Sequence, residues 1–149
     1  MKRCIGVHTG EIMTGKGETV LKSDTNNACM VIVAYDQERK IGSLAHALFY
    51  ENEQKRKAHS SLVRDANHAI DEMIKEMTLL GADKNGIEIR LVTGENVSHQ
   101  QGDPIYTKKL NSAMDVIKDK HLRVTDHSAV DVGNKHVVFD IETGELSYN

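Results

Sequence analysis

Apolar and polar positions alternate in short blocks over the first third of the chain and give way to a helical period after it. "CMVIVAY" (Cys29 to Tyr35) and "KIGSLAHALF" (Lys40 to Phe49) are rich in β-branched and small apolar residues and are joined by the charged "DQER"; together they predict a buried β-hairpin. Ahead of it, Cys4 to Val7 reads as a short strand, followed by a glycine-rich turn region, "TGEIMTGKGE", that leads into "TVLKS". From Ser60 to Leu80 the apolar residues Leu62, Ala66, Ala69, Ile70, Met73, Met77 and Leu80 recur at helical spacing, with Ser60 or Ser61 as cap and Gly81 just past the end. "IEIRLV" (Ile87 to Val92) alternates as a strand. Asp103-Pro104 then opens a second helix through Leu110, Ala113, Met114 and Ile117. A strand at "LRVTD" and a terminal hairpin, "KHVVFDI" turning at Thr143-Gly144 into "ELSY", complete the pattern. The elements predict an α/β-mixed (α+β) domain of several strands and two main helices.

Composition narrows this further. The chain has 149 residues, no repeat, no low-complexity linker and one proline, which fits a single domain over 1–149. Nineteen Lys and Arg against 22 Asp and Glu leave a net charge of −3, so no basic field invites nucleic acid. The longest apolar run falls well short of the roughly 18 residues of a membrane span, and "MKRCIGVHTGEIM" holds too short an apolar stretch for a signal peptide. A cytoplasmic protein without membrane insertion is expected. There its two cysteines, Cys4 and Cys29, remain reduced thiols.

One of these thiols has a partner in the pattern. If the hairpin is centred between Gln37 and Glu38, Cys29 lies directly opposite His46, where facing Cβ atoms are roughly 4.5 to 5.5 Å apart. A thiol near its reference pKa of about 8.5 is mostly protonated at neutral pH, and an adjacent imidazole can take that proton and leave a nucleophilic thiolate. Ser23, Asp24, Thr25, Asn26 and Asn27 precede the cysteine and can each orient the ring or donate to an oxyanion. The plainer reading stands beside this one: a cysteine opening an apolar strand, or a histidine in "LAHAL", is more often packed in a core.

The stretch around Cys29 resembles the CheD family of chemoreceptor glutamine deamidases, and the resemblance extends over nearly the full chain. In that family a thiol heads a strand and a histidine follows 17 residues later in an "AH" context, as Cys29 and His46 do here. Six positions before the cysteine the family has a hydroxyl residue, normally threonine; here it is Ser23. "IGVHTGEIM", the helix ending "LLGAD", the strand followed by "TGEN", and the terminal "DIETGEL" fall where the family has counterparts. The approach to the cysteine departs from the family's G-x-G-S-C: it reads "TNNAC", with Asn26 and Asn27 among the residues that replace it. Asn tolerates φ > 0 better than most side chains. The family's paired glycines after the central strand are reduced to Thr93-Gly94, and its Gly-Gly and Arg signature is not recognisable in "DHSAVDVGNKHV".

The resemblance implies a layered sandwich of mixed, largely antiparallel sheet with two helices packed on it. It also implies hydrolysis of receptor glutamine side-chain amides to glutamate through a thioester, with Cys29 as nucleophile, His46 as base and acid, Ser23 orienting the ring, and no cofactor. The implied partners are chemoreceptor cytoplasmic helices and a CheC-type phosphatase, and the polar "YENEQKRKAHSS" is a candidate rim for a protein substrate. Two rivals come from other classes. The scattered histidines, His8, His46, His59, His68, His99, His121, His127 and His136, lack the spacing of a metal site. A CheD-like binding module without turnover is the stronger rival, motivated by the altered turn before Cys29.

Overall fold

The computed structural model describes residues 2–8, 10–25, 29–48, 66–93, 117–126 and 136–148. In chain order the elements are β1 (Arg3–Val7), β2 (Ile12–Lys16), β3 (Thr19–Thr25), β4 (Cys29–Asp36), β5 (Ile41–Leu48), α1 (Ala66–Leu79), a 3-10 turn (Lys84–Gly86), β6 (Ile87–Thr93), β7 (Arg123–Asp126), β8 (His136–Asp140) and β9 (Leu146–Tyr148). Residues 117–119 are helical. The rest of the second expected helix, with Met114, lies outside the described residues, as do Ser60, Ser61 and the segment from Tyr50 to Ser61.

The strands form two sheets, one ordered β2-β5-β4-β6-β7 and one ordered β1-β3-β8-β9. Pairing is antiparallel except for β1 with β3 and β6 with β7. The period-2 alternation of β4 divides its side chains between two cores. Met30, Ile32 and Ala34 face Ala69, Ile70, Met73 and Met77 of α1, while Val31, Val33 and Tyr35 face Leu21, Val137 and Phe139 of the second sheet. A sheet buried on both faces explains why "CMVIVAY" is apolar without a break. Met73 and Met77 are fully buried, each contributing about 1.5–3 kcal/mol by removal from water. The layered, mixed and largely antiparallel sandwich therefore agrees with the expected fold class.

Two expectations are corrected. The glycine-rich region after β1 contains a strand, β2, whose Gly15 pairs with Gly42 of β5. These glycines mark a close approach of the two sheets: a Cβ on Gly42 would lie 2.6 Å from Phe139 Cε2, and one on Gly15 would lie 2.7 Å from Thr19 Cγ2.

The hairpin register also differs from the expected one. Cys29 pairs with Leu48 and His46 pairs with Val31, because the connection spans four residues, from Gln37 to Lys40, with Lys40 left-handed at φ 53°. Asp36 sets that turn. Its fully buried carboxylate accepts the Arg39 N–H at 3.3 Å and, from the start of the 3-10 turn, the Asp83 N–H at 2.9 Å. The two-residue turn assumed from sequence could not anticipate a carboxylate shared with a segment 47 residues away.

Candidate functional site

The register slips by an even number of positions, so the faces are kept. Positions 29 and 31 of β4 and 46 and 48 of β5 belong to the same face of the ladder, the one turned toward the second sheet. Cys29 stands diagonal to His46 instead of opposite it. Diagonal neighbours of an antiparallel pair lie about 7–8 Å apart at Cα, a span that long side chains bridge. Residues 26–28, with Asn26 and Asn27, lie outside the described residues.

His46 is fully buried, and among the described residues neither Nδ1 nor Nε2 has a hydrogen-bond partner. A buried polar group left in this state costs roughly 1–3 kcal/mol, and the cost is retained in functional sites. Burial pushes the imidazole below its ordinary pKa, with the negative charge of Asp24 opposing that effect. Burial therefore favours the neutral form of the ring.

The main chain of His46 is held on both sides. Its N–H donates to the Glu11 carbonyl at 3.1 Å and its carbonyl accepts the Gly10 N–H at 2.7 Å. The turn that supplies these groups closes through the Glu11 N–H on the His8 carbonyl at 2.9 Å. Gly10 has φ 87°, a conformation that makes glycine the natural third residue of such a turn. The Glu11 carboxylate returns to the His8 N–H at 2.9 Å.

Ser23 is buried on β3, in the facing sheet. Its hydroxyl accepts the Val137 N–H at 2.9 Å and donates to the Asp24 carbonyl at 2.7 Å. The hydroxyl is thus engaged by main chain, and its proton is not directed at His46. The reason is local: between Lys22 and Thr25 the β3 register shifts against β8, so that Ser23 and Asp24 together oppose Val137. The Ser23 hydroxyl takes up a Val137 N–H that the interrupted ladder leaves over. Beside it, His136 Nδ1 lies 2.6 Å from the Ser23 carbonyl and serves as its donor.

The other thiol, Cys4, is exposed on β1, an edge strand. From the sequence Asp24 was only one of several polar neighbours, and the turn region expected from Thr9 onward gave no sign that Gly10 and Glu11 grip the His46 main chain. The glycine within "HTGE" was the available signal, but β2, the strand that follows it and pairs with β5, was read as part of the turn region.

A family model described as CheD chemotactic sensory transduction matches residues 48–149. The chain belongs to the CheD family. Relatives include a probable chemoreceptor glutamine deamidase CheD of Chlorobium luteolum, 30% identical over 122 residues that cover 80% of this chain and 59% of the relative. One from Pyrococcus abyssi carries the same description and is 26% identical over 98% of this chain and 91% of its own. The chemoreceptor glutamine deamidase CheD of Thermotoga maritima is 22% identical over 98% of this chain and 90% of its own. The chain thus spans under two thirds of the Chlorobium relative and most of the other two. The family-model match begins just after His46, whereas the Pyrococcus and Thermotoga alignments also take in the N-terminal half that carries Ser23, Cys29 and His46. Among the described residues no helix is long and apolar enough to cross a membrane.

Proposed function

We propose that this chain is a protein-glutamine deamidase of the cytoplasm that acts on the cytoplasmic helices of chemoreceptors. Cys29 is the nucleophile, and His46 serves as base and then as acid. The observation that carries this reading is the fully buried His46, whose two ring nitrogens lack a partner among the described residues and which shares a sheet face with position 29. A core histidine kept only for packing ordinarily has a hydrogen bond.

The reaction follows from these groups. His46 takes the thiol proton, and the thiolate attacks the side-chain carbonyl carbon of glutamine to form a tetrahedral oxyanion. Backbone N–H groups from Asn27 to Cys29 receive the oxyanion. His46 then protonates the departing nitrogen, ammonia leaves, and a thioester remains. Water, deprotonated by the same ring, attacks the thioester, giving glutamate and restoring the thiol. Ser23 fixes the end of β3 facing the hairpin, and it supports the ring through that framework. A CheC-type phosphatase is the proposed regulator, binding where the receptor helix binds.

Purified protein incubated with chemoreceptor cytoplasmic fragments, followed glutamine by glutamine by mass spectrometry, tests this reading. Conversion of particular glutamines to glutamate by the wild type and not by Cys29→Ala is expected. Binding of the fragments without conversion would overturn turnover and leave a receptor-binding module.

A further inference from the structure

Beyond Ile12 and Ala45, the last ladder pair of β2 and β5, regular antiparallel pairing would set Glu11 opposite His46 and exchange both of their N–H···O bonds. Only one of the two is made. The His46 N–H donates to the Glu11 carbonyl at 3.1 Å, but the Glu11 N–H is turned back onto the His8 carbonyl at 2.9 Å. The Gly10 N–H takes its place and reaches the His46 carbonyl at 2.7 Å. Gly10 and Glu11 thus both oppose His46, in a bulge whose first residue is a glycine at φ 87°. Such bulges raise the local twist, and next to active sites they re-aim a side chain.

For His46 this main-chain hold matters more than for a bonded ring. Neither ring nitrogen has a partner among the described residues, so the direction of the imidazole is set by packing and by a backbone whose φ and ψ select the rotamer. The Ser23 hydroxyl, spent on the Val137 N–H and the Asp24 carbonyl, is not directed at the ring. One side chain closes the bulge. The exposed Glu11 accepts the His8 N–H on its carboxylate at 2.9 Å, so two hydrogen bonds of opposite direction join His8 and Glu11 around the buried Gly10. The bond to an ionised acceptor is the stronger kind.

We propose that Glu11 is a positioning residue for the deamidation reaction: its carboxylate clasps the His8 N–H, locks the Gly10–Glu11 bulge and, through the two main-chain bonds of that bulge, holds the His46 imidazole in the direction proton transfer needs. This rests on the proposed reaction, in which one ring takes a proton from the thiol and returns it to the departing nitrogen. Each transfer requires the ring within hydrogen-bond reach of a different atom. A misplacement of about 1 Å, even from a change remote from the chemistry, can cost about 100-fold in rate.

Glu11→Ala and Glu11→Gln in the full chain test this. Both are expected to fold, with urea midpoints close to wild type, because the side chain is exposed. In Glu11→Ala, which lacks the acceptor, kcat for glutamine conversion in chemoreceptor cytoplasmic fragments is expected to fall by roughly 10- to 100-fold with KM unchanged. Glu11→Gln, whose amide oxygen can still accept the His8 N–H, is expected to recover most of the rate. In NMR spectra the His46 ring signals are expected to shift or broaden in Glu11→Ala and to return in Glu11→Gln. Those of His136, held 2.6 Å from the Ser23 carbonyl, should stay in place in both. Unchanged kcat with unchanged His46 signals in Glu11→Ala, a raised KM at wild-type kcat, or equal losses in the two variants would overturn the role. The ring signals need no receptor, so a failure of the deamidase reading appears separately, as absence of glutamine conversion by the wild type.

Discussion

The β4–β5 hairpin buries a polar side chain near each of its ends, and the two are treated in opposite ways. At the turn, Asp36 is saturated: it accepts the N–H groups of Arg39 and Asp83, and the Arg39 guanidinium lies 3.4 Å away. At the open end, His46 is equally buried and, among the described residues, neither ring nitrogen is bonded. The first side chain repays its burial by fixing a four-residue turn and the start of the 3-10 segment. The second makes no such bond among the described residues and is held in place by its own main chain. A buried polar group that costs stability is what singles out this end of the hairpin for the proposed chemistry.

Replacing the unbonded ring is expected to break this contrast most visibly. In His46→Leu, glutamine conversion should fall by about 10⁶-fold, as it does when a nucleophile loses its base. The same variant should be as stable as the wild type or more so, by about 1–3 kcal/mol in urea denaturation, because an unsatisfied polar group leaves the core. A loss of stability in His46→Leu would show that the ring has a structural partner after all.

The opposite end should respond in the opposite sense. Asp36→Ala leaves the Asp83 and Arg39 N–H groups without their acceptor and should cost about 2–4 kcal/mol in the same denaturation experiment. The activity of the molecules that remain folded should be close to wild type. A selective loss of turnover would deny the division of labour between the two ends.

The smallest effect is on pH. Burial holds the folded His46 pKa below the ordinary value of 6.5, so under that pH the unfolded chain takes up a proton that the folded one refuses. Stability is full above about 6.5 and declines as pH falls through that value, by at most about 1.4 kcal/mol per pH unit for one proton, until the folded ring protonates. Denaturation of the wild type and His46→Leu across this range should show the decline reduced by one proton in the variant.

Much of this was legible in the chain. Period-2 and period-3.6 patterns place β4, β5, β6 and α1 because each has a face buried against a neighbour, and the CheD resemblance drawn from the Cys29–His46 spacing is borne out by the family match over residues 48–149. What escaped was set by distant parts of the molecule. Gly15 read as a turn signal and Gly42 as one position of an apolar strand, when their role is to let Thr19 and Phe139 approach the sheet. The hairpin register depends on Asp83 reaching Asp36, and the parity of the slip alone kept Cys29 on the face of His46. The commitment of the Ser23 hydroxyl to Val137 follows from a bulge against β8, a strand more than a hundred residues away along the chain.

At the centre stands the proposal that His46, unbonded among the described residues, activates Cys29. The direct measurement is the rate of iodoacetamide alkylation at each thiol, followed by peptide mass spectrometry in the wild type and in His46→Leu. The account predicts that near neutral pH Cys29 reacts faster than the exposed Cys4 despite its place at a strand head, and that the difference disappears in His46→Leu. Equal reactivity of the two thiols in the wild type, or a Cys29 advantage that survives the loss of the imidazole, would contradict it.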